Sequence, residues 1–176
     1  FGDDLPKIID HYVQEKLELR GIEPVPLTRP EEYLRRASLD LAGRVPTLQE
    51  YQWLFELPTE DYRSVVVDYY MSLPDFQYHL RNSLDEMLLP NSPYNNEFRN
   101  YLLWAVKTDR RWDEMFRDLL IAAPAADPLR GAQHFLRTRV RDLDDLTNDT
   151  ASLLFGVNIA CAKCHDHPLV DQWEQG

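Results

Sequence analysis

The chain's two cysteines fall in one short stretch, "ACAKCHDHPLVDQW", residues 160–173, together with two of its five histidines. Cys161, Ala162, Lys163, Cys164 and His165 spell C-x-x-C-H, the attachment pattern of c-type haem. The spacing has a chemical reason. Two residues between the thiols let each sulfur form a thioether with one vinyl group of the same porphyrin, and the adjacent imidazole then sits under the iron as an axial ligand.

Three other chemistries use the same residue types. A redox dithiol needs its C-x-x-C at the start of a helix that follows a strand, within a βαβ unit. Here the motif follows a helical segment and the short "GVNIA", with no parallel-sheet pattern nearby. Structural zinc would draw on Cys161, Cys164, His165 and His167. A tetrahedral site is ordinarily closed by two separated ligand pairs, so four ligands within seven residues surround one ion poorly. Such a site would have to borrow His134 or His79. A disulfide between Cys161 and Cys164 would close a small strained ring and leave His165 without a purpose. Haem c, one iron porphyrin per chain, is therefore the leading expectation.

If His165 takes one face of the iron, the other face holds a ligand, a water or nothing. His167, only two residues along, is expected to hydrogen-bond locally or contact the pocket rather than reach the opposite face. Upstream distal candidates are Met87, on an apolar face with Phe76, Leu80 and Leu84, and His134 in "GAQHFL". Met115 and His79 are similar candidates; His11 and Met71 rank lower. Methionine opposite histidine raises the potential, a second histidine lowers it, and an open face admits small ligands. Arg137, Arg139 and Arg141 form a basic run before the motif. Arg139 is a candidate donor to a haem propionate; the plainer expectation is a solvated face pairing with Asp142, Asp144 and Asp145.

The elements that carry these residues read as helices. Leu5, Ile8, Ile9, Tyr12, Val13 and Leu17 recur at three- and four-residue steps, and Gly21 suits the left-handed stop. Capping boxes are expected at Thr28–Glu31 and at Thr47–Glu50. Further apolar faces lie at Tyr62, Val65, Val66 and Tyr69, at Phe76 to Leu88, and at Trp112, Met115, Phe116 and Leu119. A last helix is expected from Asp142 to about Gly156, with Asp144 and Asp145 near its positive end. Prolines 24, 26, 46, 58, 74, 90, 93, 124 and 128 fall between these segments and punctuate them. Trp104, Trp112, Trp173 and Tyr101 are expected in the core. The fold class is all-α: one compact domain over residues 1–176, with about seven to nine short helices and a C-terminal attachment segment.

Composition narrows the function classes. The chain has 176 residues, 44% of them hydrophobic, and a formal net charge of −11. So acidic a surface repels a phosphate backbone, which excludes nucleic acid as the expected partner. No window approaches the roughly 20 apolar residues of a membrane span. The opening "FGDDLPKII" lacks a signal-peptide pattern and is expected to be a trimmed or excised piece of a longer protein.

Two stretches also carry a family resemblance. "RRASLDLAGRVPT" (residues 35–47) and "FGVNIACAKCHDHP" (residues 155–168), with Trp173 nearby, resemble the planctomycete cytochrome-c-like domains, long catalogued as a domain of unknown function. The likeness spans nearly the whole chain. It implies a domain of larger exported proteins, periplasmic or at the cell surface, often joined to other cytochrome-like modules. Carried over, haem attachment falls on Cys161 and Cys164, the proximal role on His165, and the family's H-P pair on His167 and Pro168. Leu169 stands where an aromatic is usual and Ser152 where arginine is frequent. The resemblance brings no settled activity with it. The expected function is one-electron transfer to redox partner domains or proteins. The alternatives are a haem enzyme or sensor with an open distal face, and a non-haem structural domain holding zinc.

Overall fold

Prolines and side-chain caps decide where most of the helices begin. The computed structural model describes residues 5–58, 62–90, 92–121, 129–140 and 142–160. Among these there are nine α-helices and no strand. α1 spans Leu5–Leu19 and α2 Pro30–Ala37, α2 opening on a proline whose fixed φ suits a first turn. α3 (Leu48–Glu56) opens on the expected capping box: the Glu50 amide donates to Thr47 Oγ1 (3.2 Å), and the Thr47 amide donates to Glu50 Oε2 (2.6 Å). α4 (Tyr62–Ser72) and α5 (Pro74–Leu88) follow, the latter again with proline in its first turn. Asn95 caps α6 (Asn96–Lys107) by accepting from the Phe98 amide at 2.8 Å. α7 (Trp112–Leu120), a 3₁₀ turn (Leu129–Gln133), α8 (His134–Arg137) and α9 (Leu143–Phe155) complete the order.

Two apolar clusters organise these helices. The first gathers Leu34, Ala37, Ala42, Leu54, Val66 and Tyr70 from α2, α3, α4 and the turn after α2. The second gathers Leu88, Phe98, Tyr101, Leu102, Met115, Leu119 and Phe135, with Leu153 and Leu154 of α9 packed against its edge. α5 borders both, packing on α6 and on the turn after α2. Tyr101 is fully buried, as expected, but Trp112 is exposed.

The stretch "RRASLDLAGRVPT" is a polar joint inside the first cluster. α2 continues into a π turn, Ser38–Ala42, closed by Gly43 at φ 68°. That left-handed geometry favours glycine, and a Cβ there would collide with the His79 ring. Beyond the turn, Arg44 forks onto Glu50, donating from Nη1 to Oε2 (2.9 Å) and from Nη2 to Oε1 (2.8 Å). Its Nε donates to Asp75 Oδ2 at 2.7 Å. The Ser38 hydroxyl caps the arginine's own carbonyl at 2.8 Å, and the Tyr69 hydroxyl donates to Glu50 Oε1 at 3.2 Å. One guanidinium thus joins α3 to α5.

Two local expectations fail. α2 begins one residue after the position that a Thr28 cap requires: Arg29 is the cap residue, with no side-chain cap bond, because Pro30 fixes the first turn. Met87 is exposed, with Leu88, its neighbour, filling the core position instead. Along α1 the helical period and the glycine ending at Gly21 (φ 63°) hold, yet no α1 residue is buried among the described residues.

Candidate functional site

The C-x-x-C-H motif begins where the described residues end, and α9 is the described helix nearest to it in the chain. Asp142 starts this helix, its Oδ1 accepting from the amides of Asp144 (2.9 Å) and Asp145 (3.3 Å). Gly156, at φ 70°, ends it. The chain then folds back on the last turns. The Val157 amide donates to the Ala151 carbonyl at 3.0 Å, and Ser152 Oγ donates to the Val157 carbonyl at 3.4 Å. The Ala160 amide closes a small turn onto Asn158 Oδ1 at 3.0 Å. From Val157 to Cys161 is four residues, at most about 14 Å of extended chain. Cys161, Cys164, His165 and His167 lie outside the described residues, as do Pro168, Leu169 and Trp173.

Beside this anchored exit lies an open groove of about 410 Å³. Leu120 at the end of α7 and Leu136 of α8 form one wall. α9 supplies the other through Leu146, Thr147, Thr150, Ala151 and Phe155. Phe155 is 66% exposed and holds its ring edge-on to Phe116 at 5.4 Å between centroids. Thr147 Oγ1 donates to the Leu143 carbonyl (2.7 Å), so its hydroxyl serves its own helix. The groove is mainly hydrocarbon. The residue types flanking the exit suit an apolar ring, and two thiols followed by an imidazole suit a porphyrin held by two thioethers with the imidazole on its iron.

Arg139 fixes α9 in place. Its side chain is only 9% exposed. Nε donates to Asp149 Oδ2 (2.8 Å), Nη2 to the Leu88 carbonyl (2.6 Å) and Nη1 to the Phe135 carbonyl (3.3 Å). The guanidinium also lies over the Phe135 ring, 4.1 Å from its centroid. The expected partners Asp142, Asp144 and Asp145 are not the ones it takes. Asp142 is turned to the helix amides, while Asp149 lies further along α9 within reach of Nε. A propionate approaching Arg139 would compete with Asp149. Arg137 donates to Gln133 Oε1 at 3.0 Å, and Arg141 lies outside the described residues.

The upstream histidines and methionines are scattered. Asn95 Oδ1 accepts from the Phe98 amide, which turns its Nδ2 toward His134 Nδ1, 3.3 Å away. The His134 ring packs near Phe98, 6.1 Å between centroids. Burial, followed by the charge of Arg137, lowers its pKa, and Nδ1 faces the Asn95 amide nitrogen. His79 packs under Gly43, Met115 is buried in the second cluster, and Met71 is exposed. Among the described residues no three His, Cys, Asp or Glu side chains group as a metal site. The groove itself went unread in the sequence. Its only signal was the row of small and apolar residues on α9, which reads as ordinary core.

The described residues form an all-helical fold, and the sequence places C-x-x-C-H shortly after α9, the last described helix. The chain belongs to the PSCyt2 family, described as a protein of unknown function (DUF1549), which it matches over residues 8–176. No curated protein and no solved structure matches it.

Proposed function

We propose that this domain carries one haem c and exchanges single electrons with partner domains or proteins outside the cytoplasm. The observation that carries the reading is the pairing of the chain's only two cysteines as C-x-x-C-H. Supporting it are the α9 exit held at Val157 and the apolar groove beside that exit. Cys161 and Cys164 would hold the porphyrin through thioethers, and His165 would ligate the iron. His167 would hydrogen-bond nearby. When bound, the group supplies a reversible one-electron iron couple. The protein's part is ligation, exclusion of water and docking. Covalent attachment is made outside the cytoplasm, so an exported location follows from the same reading. The acidic surface turns nucleic acid away, and no described helix is long and apolar enough to cross a membrane.

A second reading has an observation in its favour. The groove side chains are Leu, Thr, Ala and Phe, none of which ligates haem iron, and this favours a haem with an open distal face acting as a sensor or as half of an oxidoreductase.

The test is expression in a host that matures c-type cytochromes, followed by absorption spectroscopy, acid–acetone extraction and elemental analysis. A Soret band that survives extraction, with one iron per chain, is expected. Colourless protein with free thiols, or one zinc per chain, contradicts the proposal and returns the cysteines to a structural role.

A further inference from the structure

We infer that α1 is a self-association surface: it pairs in parallel with α1 of a second copy of this chain, as a short two-stranded coiled coil. This surface involves none of the residues of the haem reading, so the two stand or fall separately.

α1 is a helix with no core to cover. None of its residues is buried, and none belongs to either apolar cluster. Yet Leu5, Ile9, Tyr12, Lys16 and Leu19 recur in steps of four, three, four and three, the spacing of a coiled-coil seam. Ile9 and Lys16 then hold the a positions of the heptad, and Leu5, Tyr12 and Leu19 the d positions. Ile8 and Val13 flank the seam. Every apolar side chain of the seam and its flanks is at least 45% exposed. An open groove of about 520 Å³ lies along this face, over Ile9, Tyr12, Lys16 and Arg20. Hydrocarbon exposed in such a row is unfavourable until something covers it.

The flanking charges point to a second copy. Glu15 falls at g and Arg20 at e, five residues later. Across a parallel pair, each g residue faces the e residue five positions further along the other helix. Glu15 of each copy therefore meets Arg20 of the other, twice over by the two-fold symmetry. Ile8 meets Val13 at the same offset one heptad earlier. In an antiparallel pair g faces g, which sets Glu15 against glutamate or Ile8 and leaves Arg20 unanswered. Within one chain, Glu15, Lys16 and Arg20 form no ion pair among the described residues. Lys16, the lone polar a residue, fixes the register at a cost in stability, and its flexible stem carries the ammonium out toward the other copy's Glu15. α1 is about 22 Å long, so the pair buries little area and belongs to the weak, reversible class.

Sedimentation equilibrium of the full chain, from roughly 10 µM to 1 mM, is the test. A reversible monomer–dimer equilibrium is expected within that range. R20E sets glutamate against Glu15 and should weaken the dimer roughly fivefold or more, while E15R/R20E re-pairs the exchanged charges and should recover most of that loss. K16I completes the apolar seam and should tighten the dimer roughly tenfold or more. Because α1 is unburied, each variant should unfold thermally like the wild type, which separates lost pairing from lost folding. A chain that stays monomeric at the highest concentration overturns the inference, whatever else α1 binds. A dimer indifferent to R20E and K16I overturns it too, as does one that R20E weakens and E15R/R20E leaves equally weak.

Discussion

The Val157 amide donates to the Ala151 carbonyl at 3.0 Å, and this bond folds the chain back as it leaves α9. Gly156 makes the bond accessible by taking φ 70°, which reverses the chain without the clash a Cβ brings. The chain leaves α9 folded back on its last turn, beside the apolar groove that Ala151 and Phe155 line.

The Arg139–Asp149 bridge should be the main restraint on α9. R139A leaves the buried Leu88 carbonyl without its donor and removes the cation over Phe135. Urea unfolding should show a loss of about 2 kcal/mol, with faster hydrogen exchange confined to α9. R139K should recover little, because a single ammonium cannot span Asp149 and Leu88 as the fork does. A loss below about 0.5 kcal/mol would place Arg139 among ordinary surface residues.

Acid stability should depend on Glu50. Arg44 holds its carboxyl down at about 2, against an ordinary value of 4.5, while burial works in the opposite direction. A lowered folded pKa stabilises above the unfolded value and fades as pH falls. The contribution is thus full above pH 4.5 and is lost between 4.5 and about 2, on the order of 2 kcal/mol. E50Q should be less stable than wild type at pH 7, and the gap should close as the pH falls through that window. A gap that stays constant with pH would show that the Arg44 pairing is not what lowers the carboxyl.

Two of the upstream distal candidates, Met87 and His134, should prove silent. M87L and H134Q, in the haem-loaded chain, should leave the reduced spectrum and carbon monoxide binding unchanged, since Met87 is exposed and His134 is engaged by Asn95. A low-spin wild type that either substitution turns high-spin would make that residue the ligand.

Much of this architecture is written locally. Thr47 with Glu50, Asp142 with its acidic followers, and the glycines at 21 and 156 mark helix ends through bonds spanning a few residues, which sequence displays directly. A Thr28 cap does not form because Pro30, two residues on, dictates the start of α2 more strongly. Tertiary pairings were not legible. Arg44 meets Asp75 across 31 residues, and Arg139 meets Leu88 across 51. The groove combines three helices whose apolar residues look like any others. α1 makes the same point from the other side, since its periodicity reports an apolar face but not what covers it. The haem reading, by contrast, rests on the spacing of Cys161, Cys164 and His165, which lie outside the described residues.

The most direct measurement is the intact mass of the chain under denaturing conditions, after expression alongside the haem c maturation machinery. Covalent attachment predicts the polypeptide plus one haem, and the bare polypeptide when Cys161 and Cys164 are both changed to alanine. A wild-type chain at its bare mass, from cells that load a control cytochrome in the same culture, would contradict it.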